Sequence, residues 1–192
     1  MVRTSLAALL LALVVASPAA AETRLVSLAE DGTLNGWFAQ LEAHGSLLSD
    51  VADRSLLAGT FGGAARGGYR WQGWGAFLHI EQDSWLTTDN KTEVVQGAVN
   101  IGVGGEYTFA EGFVRTSVAV GPSILLFETV LDDPGSVGVF LDTRPLGLRW
   151  TLHEHFALGL DPIGFTVVAP VLDGIPLVQV EYRTALYVEG AW

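Results

Sequence analysis

From Gly36 to Trp192, apolar side chains return at every second position, and the residues between them are small, polar or charged. That period is the mark of a β-strand with two unlike faces, because successive Cβ atoms point to opposite sides of a sheet. Counting back from Trp192, Gly190, Val188, Leu186, Thr184, Tyr182, Val180 and Val178 share one face, and Glu189, Tyr187, Arg183, Glu181 and Gln179 share the other. The split recurs upstream. Trp37, Ala39, Leu41 and Ala43 oppose Gln40, Glu42 and His44, while Trp74, Ala76, Leu78 and Ile80 oppose Phe77, His79, Glu81 and Asp83. Val99, Ile101, Val103, Tyr107 and Phe109 oppose Gln96, Asn100 and Glu106, and Val114, Val118, Val120, Ile124 and Leu126 oppose Arg115, Ser117, Ala119 and Ser123. The segments 56–71, 137–152 and 155–170 are less regular. Glycines dilute the first, and Pro145 and Pro162 interrupt the other two, where they predict bulges.

About eight strands follow, joined by links of two kinds. Trp71–Trp74, Phe109–Phe113 and Trp150–Phe156 are tight and bracketed by aromatics, whereas 49–55, 87–93, 128–136 and 171–176 are longer or more polar. Short turns at one end and longer loops at the other, with aromatic rings gathered at one level, fit an antiparallel barrel that crosses a membrane. Most segments exceed the roughly 9 to 11 residues that a tilted strand needs to span the hydrocarbon.

The N-terminus reads as an export signal. Arg3 precedes an apolar run from Leu6 to Val15, and Ser17-Pro18-Ala19-Ala20-Ala21 supplies the small residues of a cleavage site. Residues 1–21 are therefore expected to be a cleaved signal peptide, 22–34 a short periplasmic leader, and 35–192 the barrel domain. No later run is long enough for a transmembrane helix. Cysteine is absent, which removes disulfides and thiolate metal sites.

Which face points outward decides between two classes. A soluble barrel, such as a lipocalin-like carrier of a small hydrophobic ligand, would show the same alternation with the faces reversed. The chain is 49% hydrophobic and only 16% charged, and Lys91 is its single lysine. The polar face is thus a poor water-facing coat, and its charges of both signs suit a narrow interior of paired groups. A net charge of −11 offers no basic patch for nucleic acid.

With the polar face inward, a lumen charge network is expected from Glu42, Arg66, His79, Glu81, Glu106, Arg115, Asp142, Arg144, Asp161, Glu181 and Arg183. His44, Arg70, Asp83 and Glu189 lie inside or at the rims. Eight strands enclose a space that side chains just fill, so the expectation is a plug of ion pairs. The sharper alternative is a narrow gated pathway, with water at lumen glycines such as Gly62, Gly68, Gly75, Gly102 and Gly104. An enzyme would need nucleophile, base and acid to converge. His44, Ser46, Ser49, Asp83 and Ser84 are the candidates, but no spacing demands it, and no catalytic activity is expected. His153-Glu154-His155 is a weak metal signal without a third ligand, and Asp132-Asp133-Pro134-Gly135 is turn chemistry. No metal or cofactor is expected.

Taken together, the signal segment, strand count, turn asymmetry and aromatic-ended final strand resemble the small outer-membrane barrels of the OmpA/OmpX type. The resemblance covers the whole mature chain as pattern and carries no subfamily motif. It implies an eight-stranded antiparallel up-and-down transmembrane barrel in the outer membrane, with outer-membrane lipids and the outer-membrane assembly machinery as partners. It also implies that Tyr182 to Trp192 is an assembly signal, with Tyr182 and Trp192 as its aromatic positions. The role implied is structural, in envelope integrity. A lipid A-modifying barrel enzyme is the more distant alternative.

Overall fold

A computed structural model describes residues 35–50, 56–86, 95–127, 137–153, 155–172, 175–176 and 178–192. The expected signal peptide and leader, the 128–136 turn with Asp132, and Glu154 lie outside the described residues. The strands are β1 (Gly36–Asp50), β2 (Leu56–Trp71), β3 (Trp74–Leu86), β4 (Val95–Phe109), β5 (Val114–Phe127), β6 (Val137–His153), β7 (Phe156–Leu172), the two-residue β8 (Ile175–Pro176) and β9 (Gln179–Ala191). Each long strand pairs antiparallel with the next, β7 pairs with both β6 and β9, and β9 pairs back to β1 from Phe38↔Ala191 to Asp50↔Gln179. The sheet therefore closes into an eight-stranded barrel, with β8 a short extension of the β7–β9 hairpin.

The tight turns are set by local backbone chemistry. Gln72 and Gly73 have φ of 46° and 83°, the two left-handed residues of a hairpin whose twist matches its strands. At Gly73 a Cβ would also meet the Thr108 carbonyl oxygen at 2.7 Å. The next tight turn holds Ala110, Glu111 and Gly112 at φ of 51°, 57° and 85°.

Alternation then sorts the side chains. Leu78 is 66% exposed and Val103 58%, while Glu81, Asp83 and Asn100 between them are at most 1% exposed. Apolar residues face out and ionic residues face in. This overturns the soluble-carrier alternative, because a carrier hides its aliphatic face and this fold presents it. Trp37, Tyr69, Trp71, Trp74, Tyr107, Phe109, Phe113 and Trp150 lie outward beside the tight turns and pack on one another; the rings of Trp74 and Tyr107 are 4.6 Å apart, those of Trp37 and Tyr69 5.3 Å. Farther along the strands Phe61, Phe165 and Tyr182 face out near the opposite end, with Phe165 and Tyr182 in edge contact at 5.5 Å. An apolar belt between two aromatic levels is shaped for acyl chains flanked by headgroups.

Pro145 and Pro162 do mark irregularities. The ladder skips between Thr143 and Leu146 and between Asp161 and Gly164. Near these breaks, the hydroxyls of Thr116, Thr143 and Thr184 donate to the carbonyls of Arg144, Phe165 and Pro162 at 3.2, 3.2 and 3.1 Å. In hydrocarbon a carbonyl without a donor costs several kcal/mol, and each of these threonine hydroxyls adds a donor close to a break in the ladder.

Val118 lies outward at the middle of β5. Val118→Arg is predicted to destabilise the inserted barrel by about 2–4 kcal/mol. Heat-modifiable gel mobility and urea unfolding in lipid vesicles check this; insertion and stability equal to the parent would show that the face is not lipid-facing.

Candidate functional site

The interior is built from side chains long enough to cross it. All eleven residues expected in the charge network are buried, and Arg70, Asp83, Glu189 and His44 join them. Most partners come from other strands, some from across the barrel. Beside the tight turns, Arg70 of β2 bonds Glu106 of β4 and Glu189 of β9, the latter through two nitrogens at 3.0 Å, and lies over the Phe38 ring at 4.5 Å. Next, Arg115 of β5 reaches Gln40 of β1 at 2.7 Å and Asp161 of β7 at 2.7 Å, with its guanidinium 3.7 Å from the Tyr187 ring. Above it, Arg66 of β2 holds Asp142 of β6 at 2.9 Å, and Arg144 of β6 bonds Glu42 of β1, Asp142 and Asp161. Last, Arg183 of β9 bonds Glu81 of β3 and Glu181.

These contacts answer a desolvation problem. A charge taken out of water costs several kcal/mol, and only close, multiply bonded partners offset it. Guanidinium is suited to this because its planar fork spreads donors to several acceptors and its face stacks on aromatic rings. Among the described residues the lumen holds six guanidiniums (Arg66, Arg70, Arg115, Arg144, Arg149 and Arg183) and eight carboxylates (Glu42, Glu81, Asp83, Glu106, Asp142, Asp161, Glu181 and Glu189).

One expectation needs correction. Lumen glycines do not leave room for water at the positions where their surroundings are tight; they leave room for side chains. A Cβ on Gly104 would meet the Phe77 ring at 2.4 Å, and one on Gly75 would meet Glu106 at 2.7 Å. Arg149, outside the expected network, is also in the lumen: it is 1% exposed and bonds Glu189 at 2.9 Å. Counting by two from Arg144 places it outward. The bulge at Pro145 shifts the parity of β6, so that Asp142 and Arg144 but also Gly147 and Arg149 are buried. Pro162 does the same in β7, where Ala157, Gly159 and Asp161 give way to Gly164, Thr166 and Val168. Recognising each proline as an inserted residue was the signal available.

Among the described residues, His44, Asp83, Ser46 and Ser84 do not form a Ser–His–Asp relay. His44 presents Nε2 to Asp83 Oδ1 at 2.6 Å and Nδ1 to Glu42 Oε1 at 3.1 Å, so neither nitrogen is turned to a hydroxyl. Ser46 instead contacts Thr60 and donates to Glu181 at 3.3 Å, and Ser84 faces outward. Tyr182 and Trp192 lie on the outer face of the barrel, where Trp192 exchanges backbone hydrogen bonds with Trp37 at 3.0 Å.

Fold and lumen together define the class: a small eight-stranded antiparallel barrel with a lipophilic exterior and an ion-paired interior. No family model and no curated protein matches the chain. Among solved structures it is similar to Neisserial surface protein A, with 14% identity and a TM-score of 0.56 over 82% of this chain and 97% of that one. It also matches the Yersinia pestis outer membrane protein Ail, described in a phospholipid bilayer nanodisc, at 11% identity and a TM-score of 0.35 over 78% of this chain and 99% of that one. The first likeness shows a shared barrel fold; residue roles rest on this chain's own geometry.

Arg70→Met leaves Glu106 and Glu189 buried with a cation withdrawn, and is predicted to cost about 3–5 kcal/mol. Adding Glu106→Gln should recover part of that loss. Urea unfolding in detergent measures both, and an unchanged midpoint for the single variant would remove Arg70 as a support of the lumen.

Proposed function

We propose that this protein resides in the bacterial outer membrane as a structural, envelope-integrity barrel whose lumen is a closed ionic plug, without enzymatic activity. The observation that carries the reading is the set of cross-lumen bonds at successive levels. Arg70, Arg115, Arg66, Arg144 and Arg183 each tie strands on different sides of the barrel. A steady aqueous path would require several buried ion pairs to open together, each leaving a charge unpaired. The apolar belt between aromatic levels supports an environment of outer-membrane lipids. The outward aromatics Tyr182 and Trp192 of the final hairpin are assigned to contact with the assembly machinery.

Reconstitution into planar bilayers tests the plug. The expected record has no sustained conductance steps, and regular ohmic steps from the pure barrel would overturn the reading. Loss of the protein should sensitise cells to detergent and bulky hydrophobic antibiotics. Fractionation should place the heat-modifiable band with outer-membrane lipid; recovery in the soluble periplasm would refute the localisation.

A further inference from the structure

We propose that Glu42, His44 and Asp83 form a proton-operated lock in the lumen: His44 is an imidazolium clamped between the two carboxylates, and loss of its proton loosens the end of the barrel opposite the tight turns. His44 Nε2 lies 2.6 Å from Asp83 Oδ1 and Nδ1 lies 3.1 Å from Glu42 Oε1, with all three side chains fully buried. A carboxylate only accepts, and a neutral imidazole donates through one nitrogen alone. The two contacts together therefore need a proton on each nitrogen. His79 shows the other case. Its Nδ1 accepts from Arg66 Nε at 3.2 Å, which leaves Nε2 as the donor facing Glu81 Oε2 at 3.3 Å, so a neutral ring suffices there.

His44 borders the level of the lumen that is short of cations. Beside the tight turns Arg70, Arg115 and Arg149 are matched by Glu106, Asp161 and Glu189. In the middle Arg66 and Arg144 are matched by Glu42 and Asp142. At the far end, among the described residues, Arg183 is the one guanidinium for three carboxylates: it bonds Glu81, lies 2.7 Å from Glu181 and stands 3.6 Å from Asp83. The two carboxylates by which lumen acids outnumber lumen guanidiniums are thus both at that end, and an imidazolium on Asp83 offsets one of them.

Removing the proton would turn a ring lone pair onto a carboxylate oxygen, and a buried acceptor left without its donor is costly. The neighbouring charges are already committed. Glu42 has Arg144 of β6 on its other oxygen. Arg183 of β9 is engaged by Glu81 and Glu181, and Arg66 of β2 is turned to Asp142 and His79. Between His44 and Asp83, β2 supplies Gly62, whose missing side chain lets them meet; a Cβ there would collide with Asp83 Oδ1 and His44 Nε2. The clamp therefore ties β1 to β3 across β2, and its release frees one end of the barrel while the balanced levels stay paired. Both contacts need the proton in the folded barrel and neither exists in the unfolded chain. The contribution to stability is thus present while the imidazole is protonated and is lost as pH rises.

The test uses the full barrel, refolded in detergent with nitrogen-15 in its histidine rings. At neutral pH, NMR should show protons on both nitrogens of His44, assigned by loss of that signal in His44→Gln; a single protonated nitrogen overturns the lock. Raising the pH from neutral into the mildly alkaline range should lower the urea midpoint of the parent. His44→Gln should unfold at lower urea at neutral pH and lose that pH slope, and adding Asp83→Asn should recover part of the midpoint. Equal slopes in the parent and His44→Gln overturn the proposal. Loss of the slope in His155→Ala instead assigns it to the turn and also overturns it. Should His44→Gln fail to fold, the parent spectrum decides: a doubly protonated ring protected from exchange with water supports the lock, and its absence rejects it.

Discussion

The constraint on which this structure depends is that a backbone surrounded by hydrocarbon has no water to bond. An open sheet leaves a row of amides and carbonyls on each edge, and in lipid every one of them costs several kcal/mol. Closure through the β9–β1 ladder removes both edges at once. The same demand explains the repairs near the prolines. Where β6 and β7 bulge, Thr116, Thr143 and Thr184 turn hydroxyls onto nearby carbonyls, so the irregular part of the wall stays bonded.

Closure dictates what the interior must be. Once the aliphatic face is outward, the alternate side chains are confined to a cylinder too narrow for free water. Each charge there is paired within the lumen, mostly with a residue of another strand. Arginine solves this by length and by valence, reaching across to acceptors on two or three strands while Phe38, Phe77 and Tyr187 cover guanidinium faces. Glycine and arginine are complementary in this design, since Gly147 and Gly164 leave the space through which the stems of Arg115 and Arg183 pass. The network that blocks the lumen therefore also ties strands distant in sequence, such as β1 to β6 and β3 to β9. The same crowding brings His44 between two carboxylates, an arrangement that neither strand produces alone.

Much of this was legible in the chain. Period-two alternation placed Leu78, Val103 and Val118 outward and Glu81, Glu106 and Arg115 inward, because in a strand each position determines the face of the next. The period breaks where a residue is inserted: counting by two past Pro145 would put Arg149 outward, and the bulge turns it into the lumen. Lumen glycines were misread for a related reason. Sequence shows that Gly62 or Gly104 has no side chain, but not whose side chain occupies the space.

The one-dimensional pattern by itself determined strand number, the outward face and the pool of inward charges, since all three follow from local backbone geometry and the free energy of exposing each residue type to lipid or water. Only the tertiary structure decided which charge meets which, and that His44 lies between Glu42 and Asp83. Those pairings are set by the stagger of eight strands around a closed cylinder, a property of the whole sheet that no single segment encodes.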